Sequence, residues 1–256
     1  MEKKIDELEQ KLDKTRIKQK RSEDLATVED VIDLRTRKIL VNLMRKKIIN
    51  EIFGAISTGK EANVYRATDP KGNDLAVKIY RIKSAEIQFM WSYIEGDPRF
   101  TNIRKKPRNI VYAWAEKEFK NLNRAFDAKV RVPKPIISID NVLVMEFIGK
   151  NHIPAPKLKD FTLKKPYKTF KIIINYIDRL YNIAHLVHGD LSEFNILMHN
   201  NKPVFIDISQ AVPLEHPNSI KLLIRDIKNI CWYFSNNLKL NIPEPKIIFD
   251  QICRGD

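Results

Sequence analysis

The chain has 256 residues, of which 43% are hydrophobic and 30% are charged, and its formal net charge is +14. This composition excludes an intrinsically disordered chain, and the length is enough for one large domain or two small lobes. Two cysteines exclude a disulfide framework and favour a reducing cytoplasm, while the charged start and the strand-sized apolar runs predict neither a secretory signal nor a membrane span.

The basic surplus indicates a polyanionic partner, because clusters of Lys and Arg attract RNA, DNA or nucleotide phosphates. The clusters lie at residues 35–47, 99–108 and 157–171, and none of them matches a motif that reads a DNA sequence. Lysine-rich chains also arise from genome composition or heat adaptation, so the charge alone leaves both explanations open.

The first part of the chain predicts helices followed by strands. Apolar residues at helical spacing predict a surface helix or loosely held arm within residues 1–24 and an amphipathic helix over 30–47. The period then changes, and three strands are expected over 52–56, 62–67 and 75–79, with a turn after the second strand.

The middle of the chain predicts a loop, a helix and a hairpin. Residues 92–109 hold turn-forming residues and a basic tail, and they are expected to form a mobile loop. A helix is predicted over 111–129, followed by hairpin strands at 136–139 and 142–147. Residues 149–166 form a proline-bearing connector to the second half.

The second half predicts helices around a short hairpin. Helical spacing indicates a buried helix over 171–187 and further helices over 219–236 and 245–253. Strands at 196–198 and 203–206 are separated by a polar turn. The chain is therefore expected to be an α+β protein with an N-terminal helical extension (1–47), a strand-rich lobe (48–148) and a helix-rich lobe (149–256), and nucleotides often bind in the crevice between such parts.

The strongest functional signal is the segment His-Gly-Asp-Leu-Ser-Glu-Phe-Asn-Ile-Leu at 188–197. Asp190 precedes Asn195 by five residues between two apolar runs, and Asp207 follows in a short apolar segment. A carboxylate that faces a hydroxyl, with an amide and a second carboxylate that hold Mg²⁺, is the layout of a phosphoryl-transfer site. A single acid or amide would more simply be a turn or capping residue, but the three at this spacing indicate chemistry.

A lysine in an apolar strand gives the nucleotide side of the same site. Lys78 lies in Ala-Val-Lys-Ile at 76–79, and burying its charge costs free energy unless phosphates or a carboxylate pair with it. Glu116 and Glu118 are the candidates on the following helix, and Glu118 is preferred because apolar residues flank it. Solvent exposure of the lysine at a strand edge is the alternative.

Two further segments are candidates for nucleotide contacts. Ser57 and Lys60 lie at a hairpin tip of small and hydroxyl residues, where they could donate to phosphates, although the P-loop spacing is absent. Where the two halves join, the backbones of Glu146 and Ile148 could pair with an adenine edge, and Met145 could line the pocket behind it. A buried strand is compatible with the same residues.

Together these pieces resemble the RIO family of atypical serine/threonine protein kinases. The resemblance covers residues 48–234 and rests on three motifs in order: Ser-Thr-Gly-Lys-Glu-Ala at 57–62, His-Gly-Asp-Leu-Ser-Glu-Phe-Asn at 188–195 and Ile-Asp-Ile-Ser-Gln-Ala-Val at 206–212. They are similar to the nucleotide, catalytic and metal loops of the first RIO subfamily, in a form like that of archaea.

The resemblance implies a bilobal protein-kinase-like fold with a strand-rich N-lobe, a reduced helical C-lobe and extra N-terminal helices. It implies ATP and Mg²⁺, with Mn²⁺ as another metal, autophosphorylation on serine, and ATPase activity through a phospho-aspartate at Asp207. It also implies work in small ribosomal subunit maturation, with the pre-ribosome as partner. From the residues themselves, the basic surface predicts contact with rRNA, no membrane partner is expected, and the chain is expected to be a monomer, with dimerisation left open. By resemblance Asp190 and Asp207 are catalytic, Asn195 and Asp207 bind metal, and Ser57, Lys60 and Lys78 contact the triphosphate.

Departures from ordinary kinases narrow this expectation. Asp207 is followed by Ile-Ser rather than Phe-Gly, no Ala-Pro-Glu follows, and the short remainder predicts a lobe too small for peptide docking. Poor phosphorylation of free peptides is therefore expected. Two rivals stay open: a small-molecule kinase of the aminoglycoside or choline type, and a non-catalytic RNA-binding or ribosome-binding module that uses ATP as a conformational ligand.

Overall fold

The structure is a computed structural model that describes residues 32–82 and 85–254. The arm predicted within residues 1–24 and the predicted start of the next helix lie outside the described residues. Helix α1 spans Leu34–Arg45, and its first turn is capped by Asp33, whose carboxylate accepts the Thr36 N–H at 2.8 Å. The helix therefore starts later than the predicted residue 30 and ends two residues before 47.

A five-stranded antiparallel sheet follows α1, with the strand order β1-β2-β3-β5-β4. Its strands are β1 (Glu51–Thr58), β2 (Ala62–Thr68), β3 (Asp74–Tyr80), β4 (Pro135–Ile139) and β5 (Val142–Glu146). Each of the five predicted strands is present, within three residues at either end. The turn between β2 and β3 forms because the Asp69 carboxylate accepts the N–H groups of Lys71 and Asn73, and Gly72 takes a positive φ of 84°.

The central strand β3 is covered on both faces, which explains its nearly unbroken apolar run. Val77 and Ile79 pack against the buried Leu40 and Leu43 of α1. Because side chains alternate along a strand, Lys78 points to the opposite face, where helix α3 (Pro107–Asp127) lies. The fold thus directs one lysine out of an apolar strand into the space between the sheet and α3.

The prediction of one continuous loop over 92–109 is wrong. Helix α2 spans Ile87–Ile94, a 3₁₀ turn spans Pro98–Phe100, and α3 already begins at Pro107. Met90 and Ile94 of α2 are fully buried, so tertiary packing stabilises a helix that the local sequence leaves undecided. In this segment residues 95–97 and 101–106 lack helical structure.

The second half is helical around three short strand pairs. Its helices are α4 (Pro166–Asn182), α5 (Ser219–Trp232) and α6 (Pro245–Arg254), and a π-helical turn over Tyr233–Asn237 continues α5. The pairs are β6 (Gly149–Lys150) with β7 (Ile153–Pro154), β8 (Leu186–Val187) with β11 (Val212–Pro213), and β9 (Ile196–His199) with β10 (Lys202–Phe205). The predicted hairpin is β9–β10.

The helix predicted over 171–187 begins and ends earlier than expected. The N–H groups of Ile183 and Ala184 both donate to the Arg179 carbonyl, and His185 takes a positive φ of 51°, which ends the helix. Val187 is therefore a strand residue whose partner is Val212. The apolar spacing continued past the true end because both the helix and the strand face the same core.

One apolar cluster crosses from the sheet-bearing half to the helical half along α3. Leu122 of α3 and Leu143 of β5 belong to the same buried cluster as Ile173 of α4 and Ile227 of α5. The architecture is α+β, with a sheet-bearing lobe and a helical lobe meeting at a cleft. Within the described part of the chain, no helix has both the length and the apolar character needed to span a membrane.

Candidate active site

A cavity of about 580 Å³ lies between the two lobes. Its wall is formed by β1, β2, β3, α3, the chain after β5, and the segments around Asn195 and Asp207. All of the predicted nucleotide and metal residues line it, namely Ser57, Lys60, Lys78, Glu118, Met145, Glu146, Ile148, Asn195 and Asp207. Asp190 lies beside this cavity, in contact with Asn195.

Lys78 is held between two carboxylates at the back of the cavity. Its Nζ donates to Glu118 Oε1 at 3.0 Å and to Asp207 Oδ1 at 2.8 Å. Burial lowers the pKa of the lysine, but Asp207 and Glu118 outweigh burial and raise the pKa above its ordinary value. Lys78 is therefore a fixed positive charge, and Glu116 forms a separate exposed pair with Lys120 at 3.6 Å.

Glu118 is fully buried on α3 and reaches the sheet. Burial raises the pKa of its carboxyl to about 7, against the opposing effect of Lys78. The Tyr80 hydroxyl donates to the same carboxylate. Lys78 and Tyr80, two positions apart on one face of β3, therefore both join the strand to α3. This joint fixes how far Lys78 extends into the cavity.

Glu61, in the loop between β1 and β2, is a third carboxylate in the cavity wall. Its Oε2 accepts the Trp114 indole N–H at 3.0 Å. Burial, and next the charge of Asp207, raise the pKa of this carboxyl. Glu61 has no predicted function, although it lies inside the 57–62 motif. Three carboxylates, those of Glu61, Glu118 and Asp207, therefore lie around Lys78, while Lys60 and Lys157 line other parts of the cavity.

Asn195 and Asp207 fit a site for a hard divalent cation. Asn195 Nδ2 donates to the Asp190 carbonyl at 2.8 Å and to its carboxylate at 3.0 Å, so the Asn195 side-chain oxygen faces away from Asp190. The Ile206 N–H donates to the Asn195 carbonyl at 3.0 Å, which places Asn195 beside the residue before Asp207.

The oxygen atoms at this point suit a hard divalent cation such as Mg²⁺. Asp207 Oδ1 accepts from Lys78 and from Ser209, whereas no described residue donates to Oδ2. The described residues contain no group of three or more His, Cys, Asp and Glu that could hold a metal. Mg²⁺ commonly takes one or two protein oxygens and completes its shell with phosphate and water oxygens.

The loop that bears Asp190 is fixed from behind by α5. Gly189 has a φ of 80°, which suits glycine, and the N–H groups of Gly189 and Leu191 donate to the two oxygens of Asp226 at 2.7 and 2.9 Å. Arg225 donates to the Gly189 carbonyl. Asp190 itself is half-buried, and burial, followed by the charge of Asp207, raises the pKa of its carboxyl.

Asp226 is a site residue that the sequence analysis missed. It is 1% exposed, and burial raises the pKa of its carboxyl to about 7 despite the two backbone N–H groups. The available signal was an acid on the apolar face of a helix, between Leu223 and Ile230. Such an acid is buried only if something donates to it, and here the catalytic-loop backbone does so.

The structure limits which backbone groups of Glu146 and Ile148 could pair with an adenine edge where the lobes join. The Glu146 carboxylate is paired with the Arg131 guanidinium through bonds of 2.7 and 2.6 Å. The Glu146 N–H donates to the Lys134 carbonyl, and the Ile148 carbonyl accepts from the Ala155 N–H. Pairing with an adenine edge would therefore fall to the other backbone groups, the Glu146 carbonyl and the Ile148 N–H.

Comparison with known proteins identifies the family. The model of the RIO domain matches residues 63–247 of the chain. The chain belongs to the RIO family. A RIO-type serine/threonine-protein kinase Rio1 of Methanocaldococcus jannaschii is 47% identical over 212 residues, covering 83% of this chain and 72% of that protein. The serine/threonine-protein kinase RIO1 of Homo sapiens is 44% identical, covering 87% of this chain but 39% of its own length.

Solved RIO structures have the same fold. A Rio2 kinase from Chaetomium thermophilum aligns with a TM-score of 0.66 and 22% identity, covering 84% of this chain and 66% of the other. An ADP/Mg²⁺-phosphoaspartate complex of the same enzyme aligns with a TM-score of 0.62, also at 22% identity, and 65% of that chain is covered. These likenesses confirm the predicted protein-kinase-like fold.

The RIO-family relatives also decide the enzyme class. They are serine/threonine-protein kinases of the first RIO type, and the archaeal one is matched over most of its length. The chain is therefore a serine/threonine-protein kinase. The small-molecule kinase and the non-catalytic binding module, which the sequence left open, are both set aside.

Proposed function

We propose that this RIO-family kinase transfers the γ-phosphoryl group of ATP, as its Mg²⁺ complex, to a serine hydroxyl. The observation that carries the proposal is Lys78, bonded to both Glu118 and Asp207 in the cleft between the lobes. A lysine fixed by a helix carboxylate, opposite a carboxylate with an unbonded oxygen, is the arrangement that phosphoryl transfer from ATP requires.

Each residue has a distinct part in the proposed reaction. Lys78 pairs with the phosphate oxygens, and Asn195 and Asp207 would hold the metal, which neutralises charge on the transferring group. Asp190 orients the attacking serine hydroxyl and accepts its proton as the new O–P bond forms and the bond to ADP breaks. The raised pKa of Asp190 makes its carboxylate a stronger base toward that proton.

The proposal extends to ATP hydrolysis through a phospho-aspartate on Asp207. The Oδ2 atom of Asp207 has no donor among the described residues, so it is free to attack the γ-phosphorus as the bond to ADP breaks. Water would then cleave the phospho-aspartate, which releases phosphate and restores the carboxylate. The related Rio2 complex is described as a phosphoaspartate with ADP and Mg²⁺, which supports the same chemistry here. Serine autophosphorylation and use of Mn²⁺ in place of Mg²⁺ belong to the same proposal.

We also propose that the chain works on precursors of the small ribosomal subunit as a cytoplasmic monomer. The support is the net charge of +14 and the lysine-rich surface, which suit rRNA. A large partner would present the hydroxyl group, which agrees with the small helical lobe. ATP turnover should therefore rise when purified small-subunit precursors are added.

Two alanine variants test the proposed chemistry. Asp207→Ala should abolish Mg²⁺-dependent ATP turnover and phospho-aspartate trapping, because metal positioning dominates phosphoryl-transfer catalysis. Asp190→Ala should lose phosphotransfer to serine while keeping its affinity for ATP. Asp127→Ala, which removes an exposed carboxylate at the end of α3, is the control. Turnover in Asp207→Ala at the rate of this control would refute the proposal.

A further inference from the structure

The turn that follows Asp207 has one backbone hydrogen bond of its own, from the Ala211 N–H to the Ile208 carbonyl, and helix α3 holds it further. Asp207 has a φ of 56°, and a 3₁₀ turn over Ile208–Gln210 comes directly after it. Asn121 Nδ2 donates to the Ile208 carbonyl at 2.8 Å and to the Ala211 carbonyl at 3.0 Å. One amide group therefore joins both ends of the turn.

Lys117 binds the same turn from the preceding helical turn of α3. Its Nζ donates to the Ser209 carbonyl at 3.0 Å and also to the Ala211 carbonyl. Because residues 117 and 121 are four apart, they lie on one face of the helix. The carbonyls of residues 208, 209 and 211 are thus all bonded by two side chains of α3.

Burying these two polar side chains costs free energy. Lys117 and Asn121 are 0% exposed, and the carboxylate nearest to Lys117, that of Asp97, is 4.0 Å away. Burial lowers the pKa of Lys117 to about 7. Apolar residues of similar size at positions 117 and 121 would stabilise the fold as well as these polar residues do. The hydrogen bonds from Lys117 and Asn121 therefore indicate that the turn needs a defined geometry.

A second contact fixes the orientation of Asn121. Arg99 donates to Asn121 Oδ1 at 2.9 Å, and the Arg99 guanidinium is held by the Asp97 carboxylate at 2.6 and 2.8 Å. Both ends of the amide are therefore used, which allows one orientation only. The segment around Asp97, in the basic stretch before α3, is the outer end of the same network.

We propose that Lys117 and Asn121 are positioning residues that hold the backbone turn after Asp207 and thereby aim its carboxylate at the metal. The inference rests on the proposed function, in which Asp207 holds Mg²⁺. Helix α3 then fixes Asp207 twice. Glu118 sets Lys78, which bonds the Asp207 carboxylate, and Lys117 with Asn121 sets the backbone that carries it.

The test compares Lys117→Met with Lys120→Met. Both remove a lysine from α3, but Lys120 contacts Glu116 and the Phe100 ring rather than the turn. Lys117→Met should raise the Mg²⁺ concentration for half-maximal ATP turnover about tenfold, as loss of an outer partner of a metal ligand typically does. In thermal unfolding, ADP alone should raise the melting temperature of Lys117→Met as much as it raises that of the wild type. The further rise on adding Mg²⁺ together with ADP should be smaller in Lys117→Met than in the wild type.

Hydrogen exchange separates the possible results. Backbone amides at 207–211 should exchange faster in Lys117→Met than in Lys120→Met. If Lys117→Met unfolds, Arg99→Gln should give a smaller rise in the Mg²⁺ requirement in the same direction. The positioning inference is overturned if Lys117→Met and Arg99→Gln both have a lower melting temperature while their ATP turnover needs the same Mg²⁺ concentration as the wild type. Absence of any Mg²⁺ effect on the wild-type chain overturns the proposed function, and the exchange rates then decide the positioning separately.

Discussion

At the scale of single residues, three carboxylates of the site lie around Lys78. Lys78 is bonded to Glu118 and Asp207, while Glu61 adds a third negative charge to the same cavity. A triphosphate would compete for the lysine, and a divalent cation would balance the carboxylates. The charge distribution therefore favours ATP and metal together over either one alone.

Glu118→Gln tests whether the lysine must be held. The glutamine is close in size but no longer offers a charge, so Lys78 should shift toward Asp207 and lose its position for the phosphates. We expect kcat to fall about a hundredfold, the lower end of the range for loss of one preorganised electrostatic group. Steady-state kinetics with varied ATP would measure kcat and KM.

Glu116→Gln is the matched control for this prediction, because it changes the same residue type two positions away on α3. Glu116 forms an exposed ion pair with Lys120 and lies outside the cavity wall. Exposed pairs contribute little to stability, so this variant should resemble the wild type. Equal kinetics for the two variants would show that the bond between Lys78 and Glu118 has no part in turnover.

At the scale of secondary-structure elements, the alternation of apolar residues and the turn-forming residues were enough to predict the strands of the sheet. The strands β1 to β3, the hairpin β9–β10 and the pairing of Lys78 with Glu118 follow from alternation, turn residues and the cost of a buried charge. These signals are local, or they involve a residue type that needs a partner, so a single sequence carries them.

The remaining elements depend on contacts that are distant in sequence. The 3₁₀ turn at Pro98–Phe100 is held by an arginine that bonds Asn121, and the catalytic loop is held by Asp226 of α5. Neither partner could be chosen from spacing alone, since many acids and amides lie on predicted helices. Buried polar residues on apolar helix faces are the signal that would have located them.

Asp226→Asn tests the support that α5 gives the catalytic loop. An asparagine presents one oxygen and one NH₂ group to two backbone N–H donors, so one buried donor loses its acceptor. That change should lower the free energy of unfolding by about 1–3 kcal/mol. Urea unfolding would measure the loss, and phosphotransfer should fall with it because the Gly189–Leu191 backbone is released.

Asp250→Asn, on α6, provides the comparison for Asp226→Asn. Asp250 lies on the C-terminal helix, away from the catalytic loop, so its substitution should leave stability and phosphotransfer close to wild type. If Asp226→Asn is as stable and as active as Asp250→Asn, the two backbone hydrogen bonds do not support the loop.

At the scale of the whole molecule, the basic charge is not spread evenly. A cavity of about 290 Å³ at the start of α4 is lined by four lysines, Lys164, Lys165, Lys168 and Lys202, and by no acidic residue. The first turn of α4 has no side-chain cap, so its backbone N–H groups add to the positive field. We propose this lysine cavity as the place of the rRNA contact.

Salt dependence tests the proposed rRNA contact and its place. Binding to a single-stranded rRNA fragment should weaken steeply with added salt. Each phosphate contact should add about 0.7 to the magnitude of the slope of log K against log salt. Replacing Lys164, Lys165 and Lys168 by Gln should reduce that slope by about 2. Replacing the exposed Lys221, Lys228 and Lys246 removes the same charge from α5 and α6 and should change the slope less. Equal effects of the two triple variants would assign the affinity to net charge, and salt-insensitive binding would point to a protein partner instead of RNA.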